Sequence, residues 1–320
     1  MSVIETVDLR KSFKSRRGTV DAVQGINLRV EDGEIFGFLG PNGAGKTTTL
    51  RMLATLMPPS GGRATVAGCD LLQDPQSVRQ RIGYVSQNGG ADQRFTAREN
   101  LILQARLYGF DRRTAAARAG EWIEALDLDS FADRLVKTYS GGQRRRLDLA
   151  LGLVHGPSLV FLDEPSTGLD PQSRVRLWDE IRRLRGSGTT VFLTTHYMDE
   201  ADALCDRIAI IDHGQIVAEG TSSELKRTIA GDVILLGLES EDGLLEKAAS
   251  LLSPEPYVRS VESDDDGLRL YVDRGEEALP QILRLLDGAG ITIRTLALHR
   301  PSLDDVFLQQ TGRSLREGID

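Results

Sequence analysis

A chain of 320 residues, 40% hydrophobic and 27% charged, is long enough for one large or two ordinary domains and has the balance of a soluble globular protein. No apolar run approaches the ~20 residues of a membrane-spanning helix, and the start MSVIETVDLRKSF lacks the basic flank and apolar core of a secretory signal. The net charge of −8 falls on residues 221–320, where 11 Lys and Arg face 19 Asp and Glu; this argues against nucleic acid or anionic lipid as a partner of that part.

In chain order, VIETVDLRKSF and AVQGINLRVEDGEIFGFLG read as short strands with a turn at Asp32-Gly33. The apolar run EIFGFLG then enters a glycine loop and a helix predicted from Lys46 to about Leu56, stopped by Pro58-Pro59. The region 95–155 is predicted to be mainly helical. Thr96 and Glu99 have capping-box spacing, with Leu101, Ile102, Ala105 and Tyr108 on one face of the helix that follows. A second helix is predicted over Thr114–Leu126. A third follows Ser140, with Leu147, Ala150, Leu151 and Val154 on one face and a stop at His155-Gly156-Pro157.

From 158 to 220 strand and helix alternate. SLVFLDEP and TTVFLTTH read as buried strands, and RIAIIDHGQIVAEG as a hairpin turning at His213-Gly214. Composition shifts near 221. The pattern beyond is strand 233–238, helix 242–252, strands 256–262 and 268–273, helix 275–287 and strand 291–298, a ferredoxin-like order. ESDDDG reads as a solvated turn, and a last helix opens at Pro301-Ser302 and runs as LDDVFLQQ. Cys69 and Cys205, far apart and without metal spacing, read as two reduced core thiols.

GPNGAGKT, Gly40 to Thr47, fits a phosphate-binding loop between a strand and a helix. Its glycines let backbone N–H groups face phosphates, the helix start adds its positive dipole end, Lys46 supplies a point charge, and the Thr47 hydroxyl is a Mg²⁺ ligand. Asp163, at the end of LVFLD, is expected to hold Mg²⁺, and Glu164 to orient or deprotonate an attacking water. Gln87 and His196 each follow a strand. His155, His213 and His299 take structural roles. Ser140, Gly141 and Gly142 make a second helix start shaped for an anion. Arg144, Arg145 and Arg146 lie in its first turn, where the dipole disfavours cations; a bound anion would remove that conflict.

Together these motifs resemble the ATP-binding cassette (ABC) ATPases over about residues 2–220. Phe13 falls at the adenine-stacking aromatic. Gly40, Pro41, Asn42, Gly43, Ala44, Gly45, Lys46, Thr47 and Thr48 match the Walker A loop, and Gln87 the Q-loop. Tyr139, Ser140, Gly141, Gly142 and Gln143 match the signature motif, with Tyr139 in place of the usual leucine. Asp163 and Glu164 match Walker B, Ser166 to Asp170 the D-loop, and His196 the switch histidine. The resemblance implies an α/β fold: a P-loop NTPase core at 1–220 with a helical subdomain at about 95–155, plus a small α+β ferredoxin-like C-terminal domain at 221–320. It implies an ATPase using ATP and Mg²⁺. Two copies would close head to tail, so that Ser140, Gly141, Gly142, Gln143 and Asp170 serve the partner's nucleotide. His196 would contact the γ-phosphate, while Gln87 would sense Mg²⁺ and water.

The ending HRPSLDDVFLQQTG resembles that of drug- and antibiotic-exporter ATPases of the daunorubicin-resistance type, which pair with a separate integral-membrane permease. This places the chain at the cytoplasmic face of a bacterial plasma membrane. The segment from Gln87 to about Phe95 and the helices of 96–150 would meet the permease. The alternatives are a polysaccharide or lipid transporter ATPase and a soluble ABC ATPase acting on DNA or ribosomes; the acidic tail and single cassette speak against the latter.

Overall fold

A computed structural model describes residues 2–15, 18–228, 231–238, 243–264, 267–299 and 301–311. The chain divides into two compact units, the first running to Ser222 and the second beginning at Ser223.

In the first unit, β1 (Ser2–Ser15) and β2 (Gly18–Glu31) are longer than the short strands expected and pair antiparallel from end to end. β3 (Ile35–Leu39) is wholly buried and leads into α1 (Lys46–Leu53). This helix ends before the expected Leu56. Thr55 turns left-handed at φ 58°, its N–H donates to the Met52 carbonyl and that of Leu56 donates to Arg51, a Schellman stop that acts before the prolines can. β4 (Gly61–Val66) and β5 (Cys69–Asp70) complete an antiparallel sheet of order β2-β1-β4-β5. α2 (Pro75–Arg81), begun by the Asp74 cap and a proline at its first position, precedes β6 (Ile82–Val85).

The predicted capping box opens α3 (Ala97–Leu107), with Thr96 and Glu99 bonded reciprocally. Leu101 and Ala105 are buried beneath it, but Tyr108 is 38% exposed at the C-cap, where it stacks on His155 at 3.7 Å between ring centroids. α4 (Arg112–Ala125) starts two residues early because the Asp111 carboxylate accepts from the N–H groups of Arg113 and Thr114. α5 (Gly141–Leu153) buries Leu147, Ala150 and Leu151, and the chain turns away at Gly156, φ 74°. Next come β7 (Leu159–Asp163), α6 (Pro171–Gly186), β8 (Thr190–Thr195), α7 (Met198–Leu204), β9 (Arg207–Asp212) and β10 (Gln215–Gly220), after which α8 (Ser222–Thr228) begins at the boundary and belongs, but for its first residue, to the second unit. The β9–β10 hairpin turns at His213 and Gly214, φ 46° and 77°, as the sequence predicts.

The main sheet has the order β10-β9-β3-β8-β7-β6, parallel except at β10. Phe36, Phe38, Phe161 and Phe192 from three of its strands meet at centroid distances of 5.6 Å and anchor the core. Cys69 and Cys205 are free thiols, and burial pushes that of Cys205 well up.

The second unit runs β11 (Asp232–Leu238), α9 (Leu244–Leu252), β12 (Val258–Asp264), β13 (Gly267–Val272), α10 (Gly275–Gly288), β14 (Ile293–His299) and α11 (Leu303–Thr311). Its antiparallel sheet, β12-β13-β11-β14, is the predicted ferredoxin-like order, with Ala248, Leu252, Ala278, Ile282 and Leu286 of the two helices packed on one face. The expected turn ESDDDG is strand as far as Asp264; residues 265–266 lie outside the described residues. Ser302 and Asp305 cap α11 reciprocally, while Arg300 and Gly312 of the quoted ending lie outside the described residues.

Candidate functional site

A parallel sheet brings together the loops at the carboxyl ends of adjacent strands. Here Gly40 follows β3, His196 follows β8, Glu164 follows β7 and Gln87 lies just past β6, four neighbours in sheet order. Between them opens a cleft of about 560 Å³, lined by Pro41, Asn42, Gly43, Gly45, Lys46, Thr47 and Thr48 together with Ala22, Gln87, Glu164, Thr167 and His196.

The loop needs its glycines. A Cβ on Gly40 would stand 2.2 Å from the Ile211 carbonyl oxygen, and Gly45 has φ 105° with the Ala22 carbonyl 2.5 Å from where its Cβ would be. Gly45 is also the N-cap of α1 and offers no side chain, so the first-turn N–H groups are left for an anion. Lys46 is buried, and its ammonium donates to the carbonyls of Gly40 (2.7 Å) and Pro41 (3.1 Å).

Glu164 is the hub. Its backbone takes φ 46°, unusual for a non-glycine residue, with the N–H donating to the Thr194 carbonyl. The carboxylate accepts from Gln87 Nε2 (3.1 Å) and Thr167 Oγ1 (3.2 Å), and lies 3.4 Å from Lys46 Nζ. His196 Nδ1 is 3.2 Å away but out of hydrogen-bond alignment. Burial alone would raise the Glu164 carboxyl; the neighbouring His196 and Lys46 outweigh it and hold it at about 2. Burial pulls the Lys46 ammonium below its usual range, with Glu164 opposing.

Asp163 Oδ1 accepts from Thr47 Oγ1 (2.9 Å) and Thr194 Oγ1 (2.8 Å), so the two oxygens expected at Mg²⁺ are already side by side. Among the described residues no group of three or more His, Cys, Asp or Glu forms a metal cage. A donor set of one carboxylate and one hydroxyl beside a phosphate loop fits Mg²⁺, which takes few protein ligands and completes its shell with phosphate and water.

The signature residues do not join this cleft. Ser140, Gly142 and Gln143 line another, with Leu169, Ser173 and Arg176 among its other walls. Ser140 and Gln143 form a capping box, the hydroxyl accepting from the Gln143 N–H and the amide oxygen from the Ser140 N–H. Tyr139 is buried, donating to the Phe131 carbonyl at 2.6 Å. Asp170 caps α6, and Phe13, 39% exposed near the end of β1 with Lys11 Nζ 5.3 Å from its ring centroid, is not among the residues lining the nucleotide cleft.

The arginine expectation needs correcting for Arg145 and Arg146, whereas Arg144 keeps a buried Nε without a hydrogen-bond partner. Arg145 does not await an anion: it is buried, and its guanidinium donates to the carbonyls of Ser86 (2.7 Å), Pro165 (2.8 Å) and Asp163 (3.2 Å). Arg146 turns to the carbonyls of Leu126 and Asp127 and lies over the Phe131 ring. One turn along α5, buried Asp148 accepts from the N–H groups of Gly90 and Ala91. The helix thus grips the segments on both sides of Gln87 and Glu164. Sequence reasoning named Arg145 with a different role and missed Asp148, Thr167 and Thr194; of these three only Thr167, inside STGLD, sits in a motif singled out beforehand.

Comparison with known proteins follows this geometry. Residues 23–167 match the family described as ABC transporter, and residues 220–311 the C-terminal domain of ATP-binding proteins like DrrA1-3. The daunorubicin/doxorubicin resistance ATP-binding protein DrrA of Streptomyces peucetius is 47% identical, covering 97% of this chain and 92% of that one. The linearmycin resistance ATP-binding protein LnrL of Bacillus subtilis is 35% identical (96% and 99% covered), and the Nod factor export ATP-binding protein I of Burkholderia pseudomallei 41% (92% and 93%). A solved dimer of the cassette MJ0796, in a post-hydrolysis state with ADP and Pi, superposes with TM-score 0.63 at 25% identity over 68% of this chain and 98% of that one. On its motifs, its fold and these relatives, the chain belongs to the ATP-binding subunits of the ABC transporter family.

Proposed function

We propose that this chain hydrolyses ATP to drive export of a drug- or antibiotic-like compound through a separate integral-membrane permease, at the cytoplasmic face of a bacterial plasma membrane. The observation that carries this is the match to resistance proteins along nearly the whole chain, the second unit included. In the cleft, Lys46 and the N–H groups at the start of α1 hold the outer phosphates. Thr47 and Asp163, together with Gln87 of the same site, would hold Mg²⁺, which would neutralise phosphate charge. Glu164 accepts a proton of the attacking water. At about 2 it is a firm acceptor and a weak base, and its basicity rises once Lys46 turns to a phosphate. His196 faces the γ-phosphate.

Two copies close head to tail, so that Ser140, Gly141, Gly142, Gln143 and Asp170 of one complete the nucleotide site of the other. The separation of signature residues and phosphate loop into two clefts supports this. The segment after Gln87 offers exposed Phe95, and helix α3 exposed Leu103 and Leu107, to the permease. The relative named for Nod factor export favours a second reading, in which the cargo is a lipid or polysaccharide.

Inside-out vesicles carrying this chain together with a candidate integral-membrane permease test the proposal. ATP-dependent daunorubicin accumulation, lost when Glu164 is replaced by Gln, is the expected result. ATP turnover that the permease leaves unchanged, with no transport of drug, lipid or polysaccharide, would overturn it.

A further inference from the structure

Behind the cleft lies a buried carboxyl that none of these steps uses. Glu200, in the first turn of α7, is fully buried. Its Oε1 accepts from the Ser166 hydroxyl and, at 3.1 Å, from the Trp178 indole N–H, which also lies 3.1 Å from Ser166 Oγ. The Thr195 hydroxyl accepts instead from the Tyr197 N–H at 3.0 Å. Oε2 is buried without a hydrogen-bond partner, a costly place for a charged oxygen and a tolerable one for a neutral acid. Burial raises this carboxyl, with Ser166, Thr195, Trp178 and Arg174 opposing.

The placement of these partners is the telling point. Ser166 lies two residues beyond Glu164, and Thr195 immediately precedes His196. The two segments that bring Glu164 and His196 within 3.2 Å of each other are joined by one hydrogen bond, from Ser166 to Glu200, four residues beyond His196. Thr195 is also tied to the phosphate loop, since its carbonyl accepts from the Gly40 N–H at 3.2 Å. On the other side Arg145 holds the carbonyls of Asp163 and Pro165.

We propose that Glu200 is a positioning residue for ATP hydrolysis: by tying Ser166 to the first turn of α7, just beyond His196, it sets the spacing of Glu164 and His196. This rests on the reading that Glu164 and His196 act on ATP. A displacement of ~1 Å in a reacting constellation costs about 10²-fold in rate, whereas the phosphate-holding groups of α1 lie outside the network.

The test is steady-state ATP turnover by the full-length chain, with melting temperature as a folding check. E200A is expected to lower kcat by about 30-fold or more with KM for ATP within about threefold, the mark of an interaction realised in the transition state. E200Q, a neutral group of equal length, keeps kcat within about threefold of the parent. S166A/E200A is no worse than E200A, as two members of one network require. A parental kcat in E200A, an E200Q as impaired as E200A, or a raised KM with kcat intact overturns the proposal. If E200A does not fold, S166A carries the test: lost kcat at unchanged KM supports it, and unchanged kcat overturns it. E164Q run alongside separates the two levels. Full turnover in E164Q removes the site assignment itself, whereas an inactive E164Q beside an active E200A removes only the role of Glu200.

Discussion

Replacing Arg145 by methionine keeps most of its buried stem and deletes three hydrogen bonds, to the carbonyls of Ser86, Pro165 and Asp163. A hydrogen bond to a charged group contributes about 1.5–3 kcal/mol. Three on one planar group are not independent, so the cost of breaking the buried network is about 3–5 kcal/mol. Burial disfavours the cation, Asp148 and Asp163 oppose that effect, and loss of the cation leaves buried Asp148 with less compensation. The assay is urea unfolding followed by fluorescence. The two tryptophans, Trp122 and Trp178, both lie in the first unit, so the signal reports that unit alone. Arg145→Lys should recover less than half of the loss, because an ammonium is a point charge without the guanidinium's fork. A loss below about 1 kcal/mol in Arg145→Met, with ATP turnover intact, would refute the view of Arg145 as a buried strut.

Glu164→Gln should lower kcat by about 10²–10⁴ while ATP binding persists, read by single-turnover hydrolysis and equilibrium titration. The same carboxyl predicts a pH effect. Its folded value of about 2 is below the ordinary 4.5, so its stabilisation is complete above about 4.5 and fades as pH falls from there towards 2. The unfolding midpoint of Glu164→Gln should therefore fall less than that of the parent through this window; parallel curves would contradict the ion pair with Lys46.

Much of the first unit was legible because its signals are local. The capping box of Thr96 and Glu99, the turn at His213-Gly214 and the strand–loop–helix around Lys46 each follow from neighbours in sequence. So did the tail, whose alternation of strands and amphipathic helices yields one sheet with both helices on one face. What was missed depends on distant partners. Arg145 illustrates the limit best. Local rules set a cation in the first turn against the helix dipole, but carbonyls from the ends of β6 and β7, remote in sequence, resolve the conflict without an anion. Glu200 is likewise ordinary in sequence and gains its meaning only where Ser166 and Trp178 converge on it.

The most direct test of the shared ATP site is the mass of the chain in solution with ATP, measured by light scattering in the hydrolysis-slow Glu164→Gln background. That variant should double its mass on adding ATP. Ser140→Arg placed in the same background should bind ATP with unchanged affinity yet remain a monomer, because its own phosphate loop is intact and the surface offered to the partner's nucleotide is blocked. Loss of ATP binding by the Ser140→Arg monomer, or ATP-driven doubling that survives the substitution, would contradict a site completed by a second copy.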